Sequence, residues 1–194
     1  VAPGADGHYV FVSLWATAEV VRVDPQHLSQ PPVRINVARH PTAMVVSRDG
    51  SRLYVVNSNA DAVSVIGTAA GQEVERIHTG LVEVGNLVGA SPEGLALSSD
   101  GARLYAANAQ AATVVVIELS RLARGLPEEN GAEGEEARRS EVIGFIPTGL
   151  YPSALAVANG RLLVANGKGT GFENSSQVVS DTGVYPNAPN ERFP

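Results

Sequence analysis

The sequence predicts an all-β protein, a β-propeller of four-stranded antiparallel blades, with about four blades present. Three observations lead there. One phrase of turn, strand, turn, strand recurs along the chain. It reads RDGSRLYVVNSNADAVSVI at 48–66 and SDGARLYAANAQAATVVVI at 99–117, with a shorter copy, ANGRLLVAN, at 158–166 and a fainter one, ADGHYVFVSLWATAEVVRV, at 5–23. Second, a landmark precedes three copies: His40-Pro41, Ser91-Pro92 and Tyr151-Pro152. Third, the shared strand ends, read as Ser13, Asn57, Asn108 and Asn166, lie 44, 51 and 58 residues apart. A period near 44 residues with short strands is the mark of propeller blades.

The elements follow from local chemistry. Asp49-Gly50 and Asp100-Gly101 are hairpin signals, because glycine takes a positive φ at no steric cost. Leu53-Tyr54-Val55-Val56 is a β-branched and aromatic run of strand length. Val63-Ser64-Val65-Ile66 alternates as a half-buried strand does. The distance from the landmark proline to the next asparagine is 16, 16 and 14 residues, whereas the distance from a strand end to the next proline grows through 28, 35 and 44. One half of the repeat is therefore rigid, and insertions enter the other half.

In chain order, blade 1 occupies about 1–37. Its first strand is the tail at 1–2, followed by strands at 8–13, 18–23 and 33–37. Blade 2, about 42–78, has strands at 42–47, 52–57, 62–66 and 73–78. Blade 3, about 92–146, has strands at 94–98, 103–107, 113–118 and 141–146. Blade 4 begins near 152 and offers strands at 153–157 and 161–165. The remainder, 167–194, is a polar Gly, Asn and Pro-rich loop. An array ending inside a blade leaves an apolar sheet face in water, at about 1.5–3 kcal/mol per large side chain. The expectation is that further blades or a partner chain seal these faces.

Composition fits this reading and narrows the partners. The 194 residues are 44% hydrophobic and 18% charged, with 20 Gly and 12 Pro, an ordinary globular balance rich in turns. A net charge of −6 gives no support to nucleic-acid binding. No apolar run approaches the length of a membrane span, and no leader peptide is visible. The absence of cysteine excludes disulfides and thiolate metal sites.

Strand parity sorts the loops. Turns between second and third strands share a face with the blade-to-blade connections. The segments 80–91 and 167–194 and the turns at Trp15, Asn57 and Asn108 then form one loop-rich rim, where binding is usually built. The charged insert 119–140 falls on the other rim, and its five glutamates at 128–136 read as a solvated, mobile loop.

Candidate site residues are few. Asn57, Asn108 and Asn166 have side chains suited to line a channel mouth as amide donors, although an asparagine at a strand end more often ties its own turn. Trp15 offers a stacking face, although packing over the blade is the commoner fate of a lone tryptophan. Lys168 and Thr170 sit in Gly-Lys-Gly-Thr-Gly, which looks like a phosphate cradle but lacks P-loop spacing. His8, His27, His40 and His78 share no ligand spacing, so neither a metal nor any other cofactor is expected. No catalytic set emerges from spacing.

LYVVN, LYAAN and LLVAN, each preceded by x-Pro and Asp/Asn-Gly, resemble the YVTN family of β-propeller repeats. The run IPTGLYPSALAVANGRLLVANGKGTG at 146–171 resembles propellers that precede a phosphoesterase domain of the alkaline-phosphatase superfamily. That resemblance implies a seven-bladed ring, a periplasmic or secreted location and a possible phosphoesterase-like partner domain. Two functions follow as expectations: a non-catalytic scaffold binding a partner domain or ligand through its rim, or the propeller part of a larger hydrolase. A surface or filament module is a weaker third.

Overall fold

A computed structural model describes residues 1–5, 7–80, 89–126 and 139–169. The chain folds as the β-propeller that the repeated phrase predicts. The first sheet is β1 (Ala2–Pro3), β2 (Val10–Leu14), β3 (Glu19–Val23) and β4 (Val33–Asn36). The second is β5 (Pro41–Val46), β6 (Arg52–Asn57), β7 (Ala62–Gly67) and β8 (Gln72–His78). The third is β9 (Pro92–Leu97), β10 (Arg103–Asn108), β11 (Thr113–Glu118) and β12 (Glu141–Pro147), and a fourth holds β13 (Pro152–Ala158) and β14 (Arg161–Asn166). Each is an antiparallel meander in sequence order.

The constant proline-to-asparagine spacing has a structural cause. Pro41 pairs with Asn57, Pro92 with Asn108 and Pro152 with Asn166, so the rigid half of each repeat is its first hairpin. The residue before each proline is left-handed, with φ of 59° at His40, 47° at Ser91 and 60° at Tyr151. Its carbonyl accepts a hydrogen bond from the residue after the asparagine: Ser58 N to His40 O at 3.0 Å, Ala109 N to Ser91 O at 3.0 Å, and Gly167 N to Tyr151 O at 2.8 Å.

The outer turn of each first hairpin is also built twice from the same parts. Ser47 Oγ donates to Asp49 at 2.6 Å, and Ser98 Oγ donates to Asp100 at 2.6 Å. These bonds come first among the causes that hold both carboxyls below the usual carboxylate range.

Sheets pack face to face around interdigitated apolar side chains. Phe11, Val20 and Ile35 of the first blade meet Leu53, Val55 and Ile66 of the second. The opposite face of the second blade, with Tyr54, Val56, Val63 and Val65, meets Leu104, Ala106, Val115 and Ile117 of the third. The second blade is covered on both faces, so every residue of β7 is buried, whereas β14 alternates exposed and half-buried positions.

One expectation changes. The strand-end counterpart of Asn57 in the first blade is Leu14, not Ser13, because Leu14 pairs with Glu19 as Asn57 pairs with Ala62 and Asn108 with Thr113. Counting from the hairpin glycine agrees, since Leu14 follows Gly7 at the same spacing as Asn57 follows Gly50 and Asn108 follows Gly101. Ser13 instead donates from Oγ to Thr42 O across the blade junction, at 3.3 Å. Tyr54 and Tyr105 hold equivalent places in the repeated phrase but differ in burial, the first buried and the second half-buried. The insert 119–140 is anchored to the body at its base. Its described stem contains α1 (Arg121–Arg124), capped by Ser120 Oγ, which accepts from Ala123 N at 3.0 Å. The glutamate-rich run 128–136 lies outside the described residues.

Candidate binding rim

The strand order brings the turns after β2, β6 and β10 to the same face as the connections between blades. Repeated backbone bonds fix them together. Val37 N donates to Ala18 O, Thr79 N to Asp61 O and Thr148 N to Ala112 O, at 3.0, 2.8 and 2.9 Å. The accepting residues are all left-handed, with φ of 56°, 45° and 49°. The described ends of the two long segments also lie here. Gly89, Ala90 and Ser91 contact Asp61, and Lys168 N donates to Leu150 O at 3.1 Å. The described parts of 80–91 and 167–194 therefore share one face.

A cleft of about 390 Å³ opens on this face, lined by Arg39, Ser58, Asn59, Asp61, Gly89, Ser91 and Gln110. Its residues come from the connection into the second blade, the turn after β6, the connection into the third blade and the turn after β10. Asp61 is 1% exposed. Its Oδ2 accepts from Gly89 N at 2.7 Å and Ala90 N at 3.1 Å, and its Oδ1 accepts from Ser91 N at 2.9 Å. A carboxylate with three backbone donors is an internal anion already satisfied. It organises the cleft wall. Arg39, by contrast, is exposed, and its guanidinium has no hydrogen-bond or ionic partner among the described residues.

The residues singled out from sequence fall into different settings. Asn57 and Asn108 are fully buried beneath the rim. Asn57 Nδ2 donates to Ser64 Oγ at 2.9 Å and to Val55 O at 3.2 Å, and Asn108 Nδ2 donates to Thr79 O at 2.7 Å. Their amide nitrogens support turns and connections and are not presented to solvent. Asn166 is half-buried. Lys168 places its ammonium 4.8 Å from the centre of the Tyr151 ring, in cation–π geometry. Thr170 lies outside the described residues. Trp15 stacks on His40, ring centres 3.8 Å apart and planes 7° from parallel, and remains 55% exposed.

Arg39, Ser58, Asn59 and Gln110 were not legible as a site, because no local motif joins them. The one available signal was position, since each is next to, or within two residues of, a repeated landmark. A separate polar cluster sits on the first blade. His27 Nδ1 lies 2.8 Å and His8 Nε2 3.6 Å from Asp24 Oδ2. The hydrogen bond with His27 holds the Asp24 carboxyl below its ordinary range.

Comparison with known proteins fits the ring to a family. A family model described as "Lactonase, 7-bladed beta-propeller" matches residues 15–138. The periplasmic gluconolactonase PpgL of Pseudomonas aeruginosa superposes with a TM-score of 0.65 at 18% identity, over 87% of this chain and 46% of its own. A Bacteroides uniformis protein provisionally described as a 6-phosphogluconolactonase gives 0.64 at 22% identity, over 85% of this chain and 46% of its own. A streptogramin B lyase gives 0.58 at 12% identity, over 85% and 46%. At these identities the likeness establishes the fold. The chain spans about half the length of these proteins, and it matches no curated protein. The match over most of the chain shows that it belongs to the lactonase family of seven-bladed β-propellers.

Proposed function

We propose that the loop-rich face of this propeller is a binding face, and that its cleft takes a small anionic molecule. The observation that carries this is Arg39, an exposed guanidinium at a polar cleft with no partner among the described residues. A guanidinium offers paired donors matched to carboxylate or phosphate. Ser58, Asn59, Ser91 and Gln110 add neutral hydroxyl and amide groups for a polyhydroxylated body. The charge of Asp61 does not oppose such a ligand at full strength, because backbone donors already balance it. Lys168 extends the same rim. The names of the structural neighbours, two of them gluconolactonases in description, agree with a sugar-acid or lactone ligand.

Calorimetric titration with gluconate and inorganic phosphate tests this. Arg39→Ala is expected to weaken binding by about 10- to 100-fold, the worth of a charge-assisted hydrogen bond. Equal affinity of the variant and the parent would sink the proposal.

The family match supports a second reading, hydrolysis of a cyclic ester by the complete propeller. Acid release from gluconolactone at constant pH measures it directly, and a rate equal to that of buffer alone would remove it. Further blades beside the four described sheets agree with a seven-bladed family. A periplasmic or secreted location agrees with the name of the Pseudomonas neighbour, and cell fractionation of the native protein tests it. The pairing with a phosphoesterase-type domain rests on the resemblance of the 146–171 run alone.

A further inference from the structure

Trp15 is the chain's single tryptophan, and it stands 55% exposed on the rim. An indole is a costly side chain to leave in water, and its faces suit the C–H face of a sugar ring. One face of Trp15 is covered by the His40 imidazole, 3.8 Å away and nearly parallel. The exposed area therefore belongs to the remaining face and edge. The brace is itself fixed. His40 has φ 59°, its carbonyl accepts from Ser58 N at 3.0 Å, and Pro41 follows it. A stacked, pinned aromatic loses little freedom when a ligand lands on it. Arg39 precedes His40 in the chain and lines the cleft, and Ser58 both lines the cleft and bonds to His40. Platform and cleft are thus neighbours on one rim.

We infer that Trp15, positioned by His40, is the stacking half of the site whose anion-binding half is Arg39. The ligand is then an anionic sugar, with its charged group on the guanidinium and its ring on the indole. This inference rests on the reading of the cleft as an anion site.

The test uses the 194-residue chain and two probes that share one charged group, glucose 6-phosphate and inorganic phosphate. Because Trp15 is the single tryptophan, its emission reports on this residue alone. Glucose 6-phosphate is expected to change that emission and to bind more tightly than inorganic phosphate. Trp15→Ala is expected to weaken glucose 6-phosphate about three- to tenfold, the worth of one aromatic contact, and to leave phosphate affinity unchanged. Trp15→Phe should recover part of the loss, which separates stacking from damage to the fold. If Trp15→Ala binds glucose 6-phosphate as the parent does, the platform is wrong and the cleft stands. If neither probe binds the parent chain, the cleft reading fails and this inference falls with it.

Discussion

Tyr54 joins three parts of the molecule through one side chain. It is 1% exposed, its ring lies in the core between the second and third blades, and its hydroxyl donates to Ala123 O of α1 at 2.8 Å. Tyr54→Ala is expected to cost about 3–5 kcal/mol in denaturant unfolding, the range for an aromatic removed from a core. Tyr54→Phe keeps the packing and loses the hydrogen bond, at about 1 kcal/mol. Tyr105 occupies the same place in its phrase but is half-buried, so Tyr105→Ala should cost less than Tyr54→Ala. Equal losses would mean that the asymmetry between these blades is absent in solution. Burial raises the Tyr54 phenol from 10.0 to about 12. The neutral form is the one the fold holds, so its contribution is intact below pH 10 and is lost as pH rises through about 12. The parent should destabilise across that window more steeply than Tyr54→Phe. Sequence identified Tyr54 as a strand residue from its neighbours, but not its hydroxyl partner 69 residues away. Nothing local encodes that bond.

At the scale of elements, the stem of the charged insert shows what composition conceals. Ser120 and Ser140 close the two ends of the insert on the Glu75 carboxylate of β8. Ser140 N donates to it at 2.6 Å, Ser140 Oγ at 3.0 Å and Ser120 Oγ at 3.2 Å. Arg52 Nε adds a bond to Leu122 O at 2.9 Å. Glu75→Ala removes the shared acceptor and leaves Ser140 N without it, with an expected cost of about 1–3 kcal/mol. Deleting 128–136, between these anchors, should change stability by well under 1 kcal/mol, since loop closure costs only about 0.6 kcal/mol per doubling of length. Thermal unfolding of the two variants separates the roles, and a larger loss from the deletion than from Glu75→Ala would reverse the assignment. The charge run at 128–136 was legible in the sequence. The four-residue helix was not, because it is too short for a period to register.

Across the whole molecule, the repeated hairpins set the spacing of the blades. Gly94 of β9 shows how close they come. A Cβ there would stand 2.9 Å from Ser153 O and 3.2 Å from Ala154 Cα of β13. Both are backbone atoms, so β13 must move to admit it. Gly94→Ala is expected to lower the melting temperature, and an unchanged melt would place β13 farther from β9 than described. The fold was legible because turn, strand and landmark proline repeat with a measurable period. The face carrying the long connections was legible too, because strand parity fixes which ends emerge together. The site was not. Its residues belong to four different segments, and two of the repeated asparagines, Asn57 and Asn108, are buried supports for the turns beneath it. A repeated polar residue can mark structure as well as function, and only burial tells them apart.

A crystal structure of the chain soaked with gluconate is the decisive test of anion binding in the rim cleft beside Arg39. Density for the carboxylate is expected within hydrogen-bond distance of the Arg39 guanidinium, with the hydroxyls reaching Ser58, Asn59 or Gln110. Gluconate bound on the opposite face, or an empty cleft at a concentration that saturates binding in solution, would contradict it.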